Sequence, residues 1–319
     1  MIERPRLEDL DLSLGKRTRL HRLLYEHGPG NGSLLLLPID QGLEHGPIDF
    51  FPNPPSADPS YQCRLAREGN YSGIVFHIGL ATKYMKDYAG AVPLVLKLNG
   101  KTNVPSDAEA FSAQESTVED AVRLGADAVG YTLYVGSPSQ DRDFVQLGQV
   151  RAQCERYGMP LIVWSYPRGS AVEGKGGRNS IYAVDYAARV ANELGADVVK
   201  LNVPKFQDPG NADSPAPYRQ LYEEWKELDK DEAYRLAVEK VVSSAGKTMV
   251  LFSGGSRIGD KDLLQKARIC IVSGATGLIF GRNMWQRPFD EGLEITHSVQ
   301  EILKADVTGL KRVLFGEEA

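Results

Sequence analysis

Eight short runs of apolar or β-branched residues punctuate the chain: Leu34–Leu37, Gly73–Phe76, Leu94–Leu98, Ala128–Leu133, Leu161–Trp164, Val198–Leu201, Thr248–Phe252 and Gly277–Phe280. None alternates apolar with polar. Such continuous runs suit parallel strands buried on both faces, not half-solvated antiparallel ones. Amphipathic stretches lie between them. Glu115–Leu124 carries Val118, Ala121 and Val122 at helical spacing, and Tyr182–Leu194 carries Val184, Ala187, Ala188, Ala191 and Leu194. Asp231–Ser244 and Asp260–Arg268 follow the same pattern. Three related phrases recur: L-G-A-D-A-V at Leu124–Val129, L-G-A-D-V-V at Leu194–Val199 and S-G-A-T-G-L at Ser273–Leu278. In each the glycine suits a left-handed helix cap, and the next strand follows almost at once.

Strand–helix units repeated in this order predict an α/β fold, a single (β/α)8 TIM barrel. A doubly wound sheet is the structural rival. No internal linker is visible, so residues 34–319 are expected to form one catalytic domain. Residues 1–33 would be an N-terminal extension capping the barrel bottom. Lys205–Lys230, between strands six and seven, opens rich in Pro, Asp and Gly, turns helical over Pro217–Leu228, and reads as an insertion.

Composition narrows the function classes. Of 319 residues, 42% are hydrophobic and 25% charged, which excludes disordered and fibrous chains. No apolar run approaches the ~20 residues that span a bilayer, and no secretory pattern opens the sequence. The net charge of −5, with both signs intermixed, argues against a nucleic-acid groove but permits a local basic pocket for a small phosphate. Three widely separated cysteines (Cys63, Cys154, Cys270) suit neither a disulfide scaffold nor structural zinc, and point to the cytoplasm.

In such a barrel the active site lies at the carboxyl ends of the strands. Ser253-Gly254-Gly255 after strand seven and Gly281-Arg282 after strand eight have the make-up of a phosphate cradle. Small residues let backbone N–H groups approach the oxygens, and arginine adds a planar fork. Lys200 closes the apolar run A-D-V-V-K-L-N. It is either a rim lysine, solvated or paired with Asp197, or a Schiff-base nucleophile. The second role needs its pKa lowered by roughly three units, about 4 kcal/mol of selective destabilisation of the ammonium. Burial beside another cation would supply that, and Lys97 is a candidate cation as well as a rival nucleophile.

Asp40 and Tyr166 are the candidate proton handlers. Asp40 could instead cap a turn, and Tyr166 could be a packing residue, although Trp164 two positions earlier should face the same way. A phenol near pKa ten can move protons if a neighbouring cation stabilises the phenolate. Five histidines occur, without H-x-H or H-E-x-x-H spacing, so no catalytic metal is expected. The Gly-rich stretch Gly169–Asn179 is either a plain connection or a lid whose Lys175 and Arg178 meet a second phosphate.

These residues resemble the archaeal-type (DhnA-type) class I fructose-bisphosphate aldolases. The resemblance rests on L-L-L-P-I-D-Q-G-L-E-H-G-P at Leu35–Pro47, V-W-S-Y-P-R-G at Val163–Gly169, G-A-D-V-V-K at Gly195–Lys200, F-S-G-G at Phe252–Gly255 and G-R-N-M-W-Q-R-P at Gly281–Pro288. F-P-N-P-P at Phe51–Pro55 and L-K-L-N at Leu96–Asn99 look like the bacterial branch. It implies metal-independent, reversible cleavage of fructose 1,6-bisphosphate to dihydroxyacetone phosphate and glyceraldehyde 3-phosphate, without a dissociable cofactor. It further implies Lys200 as the Schiff-base lysine, Tyr166 as the proton-transferring group and Asp40 as the acid on the sugar hydroxyls. Trp164 and His45 would line the site, and Ser253, Gly254, Gly255, Gly281 and Arg282 would hold the C1 phosphate. Homo-oligomerisation is implied as well. The chain departs from relatives carrying K-x-K in having Lys200-Leu201-Asn202. A related lysine-dependent aldolase or thiolase on another phosphorylated keto sugar, or a non-catalytic sugar-phosphate-binding barrel, remain the alternatives.

Overall fold

The computed structural model describes residues 3–208 and 213–316. Eight strands form the barrel: β1 (Leu34–Pro38), β2 (Gly73–His77), β3 (Leu94–Lys97), β4 (Ala128–Val135), β5 (Leu161–Pro167), β6 (Val198–Asn202), β7 (Met249–Ser253) and β8 (Gly277–Ile279). Each is parallel to its neighbour in sequence, and β8 returns to β1 through Leu34↔Gly277. A closed ring leaves no free edge, which disposes of the doubly wound alternative. All eight apolar runs are strands. A short antiparallel ribbon, Asn99–Gly100 with Ala113–Gln114, was not foreseen.

The helices lie close to their expected positions. Ser180 caps Ile181–Glu193 and Asp229 caps Lys230–Ser244, each accepting backbone N–H groups. Val118–Arg123 starts later than its pattern suggests, because Thr117 and Asp120 close a capping box there. Gly125, Gly195 and Gly274 all have the left-handed backbone expected of the αβ joints. The long helix Gln140–Tyr157 escaped the pattern because only Asp143, Leu147, Val150 and Cys154 are buried, a narrow stripe on a polar helix. Ala216–Trp225 is helical within the expected insertion, of which residues 209–212 lie outside the described residues.

Two hydrophobic layers result, one between barrel and helices and one inside the barrel. The inner layer joins Leu34, Leu36, Val75, Val95, Ile162, Val198 and Leu251 to Leu20, Leu23 and Leu24 of the N-terminal segment. Ion pairs fasten that segment to the amino ends of the strands. Lys16 lies 2.9 Å from Asp197 and 2.5 Å from Glu155, and Arg22 lies 2.8 Å from Asp127. Asp197 therefore serves the barrel floor and is not the partner of Lys200.

Candidate active site

The period of two along a strand carries the inward apolar row upward into polar residues. Val95 leads to Lys97, Val198 to Lys200, Ile162 to Trp164 and Tyr166, and Leu251 to Ser253. Lys200, Tyr166, Ser253 and the loops above them line a cavity of about 830 Å³. Of the ten expected site residues, Asp40, His45, Tyr166, Lys200, Ser253, Gly254, Gly255, Gly281 and Arg282 line it. Trp164 does not. It is fully buried one inward position deeper, with its ring centroid 5.2 Å from the ammonium of Lys97 and 5.2 Å from that of Lys200. It forms the floor between the two lysines.

Those lysines have opposite surroundings. Lys97 is 0% exposed and reaches Glu44 at 2.7 Å and Asp40 at 3.5 Å. Burial alone would lower its pKa, but Glu44 and then Asp40 outweigh it and hold the pKa above the ordinary value. Lys200 is 5% exposed and, among the described residues, no carboxylate lies within ion-pair distance of it. Burial drives its pKa down to about 8, against the pull of Asp40 and Glu44 and with help from Lys97 and Arg282.

The residue that separates them, Glu44, stands in the stretch Leu35–Pro47, where the sequence assigns it no role. The signal was present: Asp40 precedes the helical turn Gln41–Glu44, so a spacing of four sets both carboxylates on one side. Asp40 does not cap that turn with its side chain. Its carboxylate is 1% exposed, and neither oxygen accepts a hydrogen bond from the described residues. Burial pushes its pKa up, but Lys97, Lys200, His77 and His45 together pull it below the usual carboxylate range. An ionised carboxylate on the cavity wall with neither oxygen hydrogen-bonded is an acceptor open to a ligand.

Tyr166 departs from expectation. Its ring lies 5.1 Å from the Lys200 ammonium and 5.2 Å from the Arg168 guanidinium. Burial, Glu44 and Asp40 nevertheless outweigh the cations and raise its pKa. The phenolate is not stabilised, and the resting phenol keeps its proton.

On the β7–β8 side, Ser253 donates to Asn202 at 3.0 Å, and Asn202 donates to Asn179 at 3.0 Å. A Cβ at Gly281 would lie 2.8 Å from Gln41 Nε2 and 3.0 Å from the Pro38 carbonyl, so only glycine fits this wall. Asp49 holds both His45, at 2.7 Å, and Arg282, at 3.7 Å. Arg178 of the Gly-rich stretch lines the cavity and Lys175 does not. No group of three or more His, Cys, Asp or Glu side chains that could hold a metal ion occurs among the described residues. Nor is any helix among them long and apolar enough to cross a membrane.

A closed parallel barrel with a buried lysine beneath a glycine-lined pocket defines the aldolase barrels as a class, and the comparisons agree. The chain belongs to the DeoC/LacD family aldolases, whose sequence profile matches residues 34–287. Within it, the relatives are of the archaeal type. The chain is 38% identical over 273 residues to the fructose-bisphosphate aldolase class 1 of Thermoproteus tenax, covering 85% of this chain and 90% of that protein. An archaeal fructose-1,6-bisphosphate aldolase, solved with its catalytic lysine covalently bound to the carbinolamine intermediate of the substrate, superimposes with a TM-score of 0.74 at 36% identity. That match covers 90% of this chain and 100% of the solved one. The fructose-bisphosphate aldolase from Slackia heliotrinireducens gives a TM-score of 0.79 at 27% identity, covering 99% and 96% of the two chains.

Proposed function

We infer that this protein is a class I, Schiff-base-forming fructose-bisphosphate aldolase. Residues 34–319 would form its catalytic barrel, and residues 1–33 an extension that closes the floor. The observation that carries this reading is the Lys200 amine, buried at the cavity base with a pKa near 8 and no carboxylate close enough to hold its proton.

In the mechanism we derive, the neutral amine adds to the C2 carbonyl. Tyr166, kept protonated by burial and by its acidic neighbours, donates its proton to the departing hydroxyl, so water leaves and an iminium forms. The iminium accepts the electron pair of the C3–C4 bond, while Asp40 takes the C4 hydroxyl proton and the aldehyde departs. The proton held by Asp40 passes to the Tyr166 phenolate, which delivers it to C3 of the enamine; water then adds to the iminium, the ketone and the neutral amine separate, and the proton this releases returns to Tyr166. Lys97 stays charged between Glu44 and Asp40, and so keeps Asp40 ionised and adds to the lowering of the Lys200 pKa that burial produces. Ser253, Gly254, Gly255, Gly281 and Arg282 hold the C1 phosphate and spend its binding energy on orienting the reacting carbons.

The cytoplasmic location and homo-oligomeric state expected from the sequence belong to the same proposal; the three cysteines are buried free thiols, as suits a reducing compartment. Borohydride reduction in the presence of dihydroxyacetone phosphate, followed by peptide mass mapping, tests the reading. An adduct on Lys200 is expected, and an adduct on Lys97 in its place would overturn it.

A further inference from the structure

The stretch Gly281–Pro288 supplies Arg282, and its short helix, Arg282–Trp285, is also gripped by two neighbouring loops. Asn53, in F-P-N-P-P after β1, donates to the carbonyls of Trp285 and Arg287 at 2.8 and 2.5 Å. Gln286 donates to the Asp49 carbonyl at 2.6 Å. Arg257, after β7, donates to the Gln286 carbonyl at 2.6 Å. Within this junction lies Asn283, fully buried. Its Oδ1 accepts the Ile258 N–H at 3.0 Å, and its Nδ2 donates to the Ser256 carbonyl at 3.2 Å.

Both ends of that carboxamide are matched, the oxygen to an N–H and the NH2 to a carbonyl. The two partners stand two residues apart, so one side chain clasps the loop after β7 onto the helix that begins at Arg282. The same Nδ2 would lie 2.7 Å from a Cβ on Gly254, so Asn283 also backs the glycine wall directly. It does not line the cavity. Whatever it does for a ligand, it does through Gly254, Gly255 and Arg282. Aspartate in its place would keep the bond to Ile258 but turn a second acceptor toward the Ser256 carbonyl. Alanine would leave both buried backbone groups unpaired.

We propose that Asn283 is a positioning residue for the phosphate wall, holding the β7 half (Ser253–Gly255) and the β8 half (Gly281 and Arg282) at the spacing the ligand's phosphate needs. The proposal rests on the aldolase reading above and adds a residue to it. A wall assembled from two strands is effective only when its halves are already in place. A phosphate that must first order a loop loses that ordering free energy from its own binding. Asn283 removes this cost by fixing the loop in the free protein, and it touches neither Lys200 nor the reacting carbons.

The test is cyanoborohydride trapping of two ketones that differ only in the phosphate, dihydroxyacetone and dihydroxyacetone phosphate. It uses the full-length wild type, Asn283→Ala, Asn283→Asp and Lys16→Met. Asn283→Ala should slow trapping of subsaturating dihydroxyacetone phosphate about tenfold, the order expected for one or two lost hydrogen bonds. Trapping of dihydroxyacetone should stay at the wild-type rate, and the pH midpoint of both reactions should stay near 8. Asn283→Asp should behave like Asn283→Ala, because the donor is gone. Lys16→Met, weakened at the barrel floor, should trap both ketones as the wild type does, which separates positioning from loss of stability. Equal slowing of both ketones by Asn283→Ala, or slowing of neither, would overturn the proposal. If Asn283→Ala does not fold, the near-isosteric Asn283→Asp decides by the same comparison. If the wild type traps neither ketone, the aldolase reading fails instead. Calorimetric titration with inorganic phosphate then decides: binding about tenfold weaker in the Asn283 variant sustains the proposal, and equal affinity refutes it.

Discussion

Lys97→Met probes the electrostatics of the site most directly. The ammonium groups of Lys97 and Lys200 each lie 5.2 Å from the Trp164 ring centroid, so they are no more than about 10 Å apart. At an effective dielectric constant of about 20, a unit charge at that distance contributes roughly 1.7 kcal/mol, a little over one pKa unit. Removing Lys97 also frees Glu44 and Asp40 to stabilise the Lys200 ammonium, which acts in the same direction. The pKa of Lys200 should therefore rise from about 8 to 9 or above. At pH 7 the neutral fraction is about a tenth for a pKa of 8, and about a hundredth for a pKa of 9. The assay is the rate of cyanoborohydride trapping of dihydroxyacetone phosphate between pH 6 and 10. For the wild type this rate should climb tenfold per pH unit and level off above about 8, because the amine reacts only after losing its proton. Lys97→Met should shift the curve up by a unit or more, trapping about tenfold more slowly at pH 7. A midpoint that stays put or falls would refute the charge on Lys97. So would loss of all trapping in Lys97→Met with trapping retained in Lys200→Met.

Three further outcomes are expected. Tyr166→Phe removes the proton donor without opening the pocket; turnover should fall by about 10²–10⁴ while ligand binding by calorimetry is largely kept. Gly130→Ala places a Cβ 2.7 Å from the Trp164 ring and 3.0 Å from Lys97 Cδ, so it should cost roughly 1–3 kcal/mol in urea melts and displace the pH–rate midpoint as well. Unchanged kinetics would show that Trp164 does not set the lysine geometry. Lys16→Met leaves Asp197 buried without its cation, and should destabilise the fold by roughly 3–5 kcal/mol in denaturant titrations, with kcat in the folded fraction unaffected because the pair lies on the barrel floor.

Much of the architecture was legible because it is written locally. A buried parallel strand is a short apolar run, and an αβ joint needs a glycine able to adopt positive φ, as Gly125, Gly195 and Gly274 do. The rule that barrel sites sit at the carboxyl ends of the strands then directs attention to Lys200, Tyr166 and Ser253. What stayed hidden was polar and non-local. Gln140–Tyr157 shows too thin an apolar stripe to announce itself. The direction in which Tyr166 is shifted depends on its burial in the closed barrel and then on Glu44 and Asp40, which a distant stretch of chain supplies.

The choice between two lysines marks the boundary. Pattern alone establishes that Lys97 and Lys200 each rise from the inward row of a strand toward one mouth, since side-chain direction follows from a period of two. It could not say which keeps its proton. That depends on Glu44, 53 positions before Lys97 in the chain and 2.7 Å from it in the folded molecule. Charge state is a property of surroundings, and only closure of the barrel brings those surroundings together.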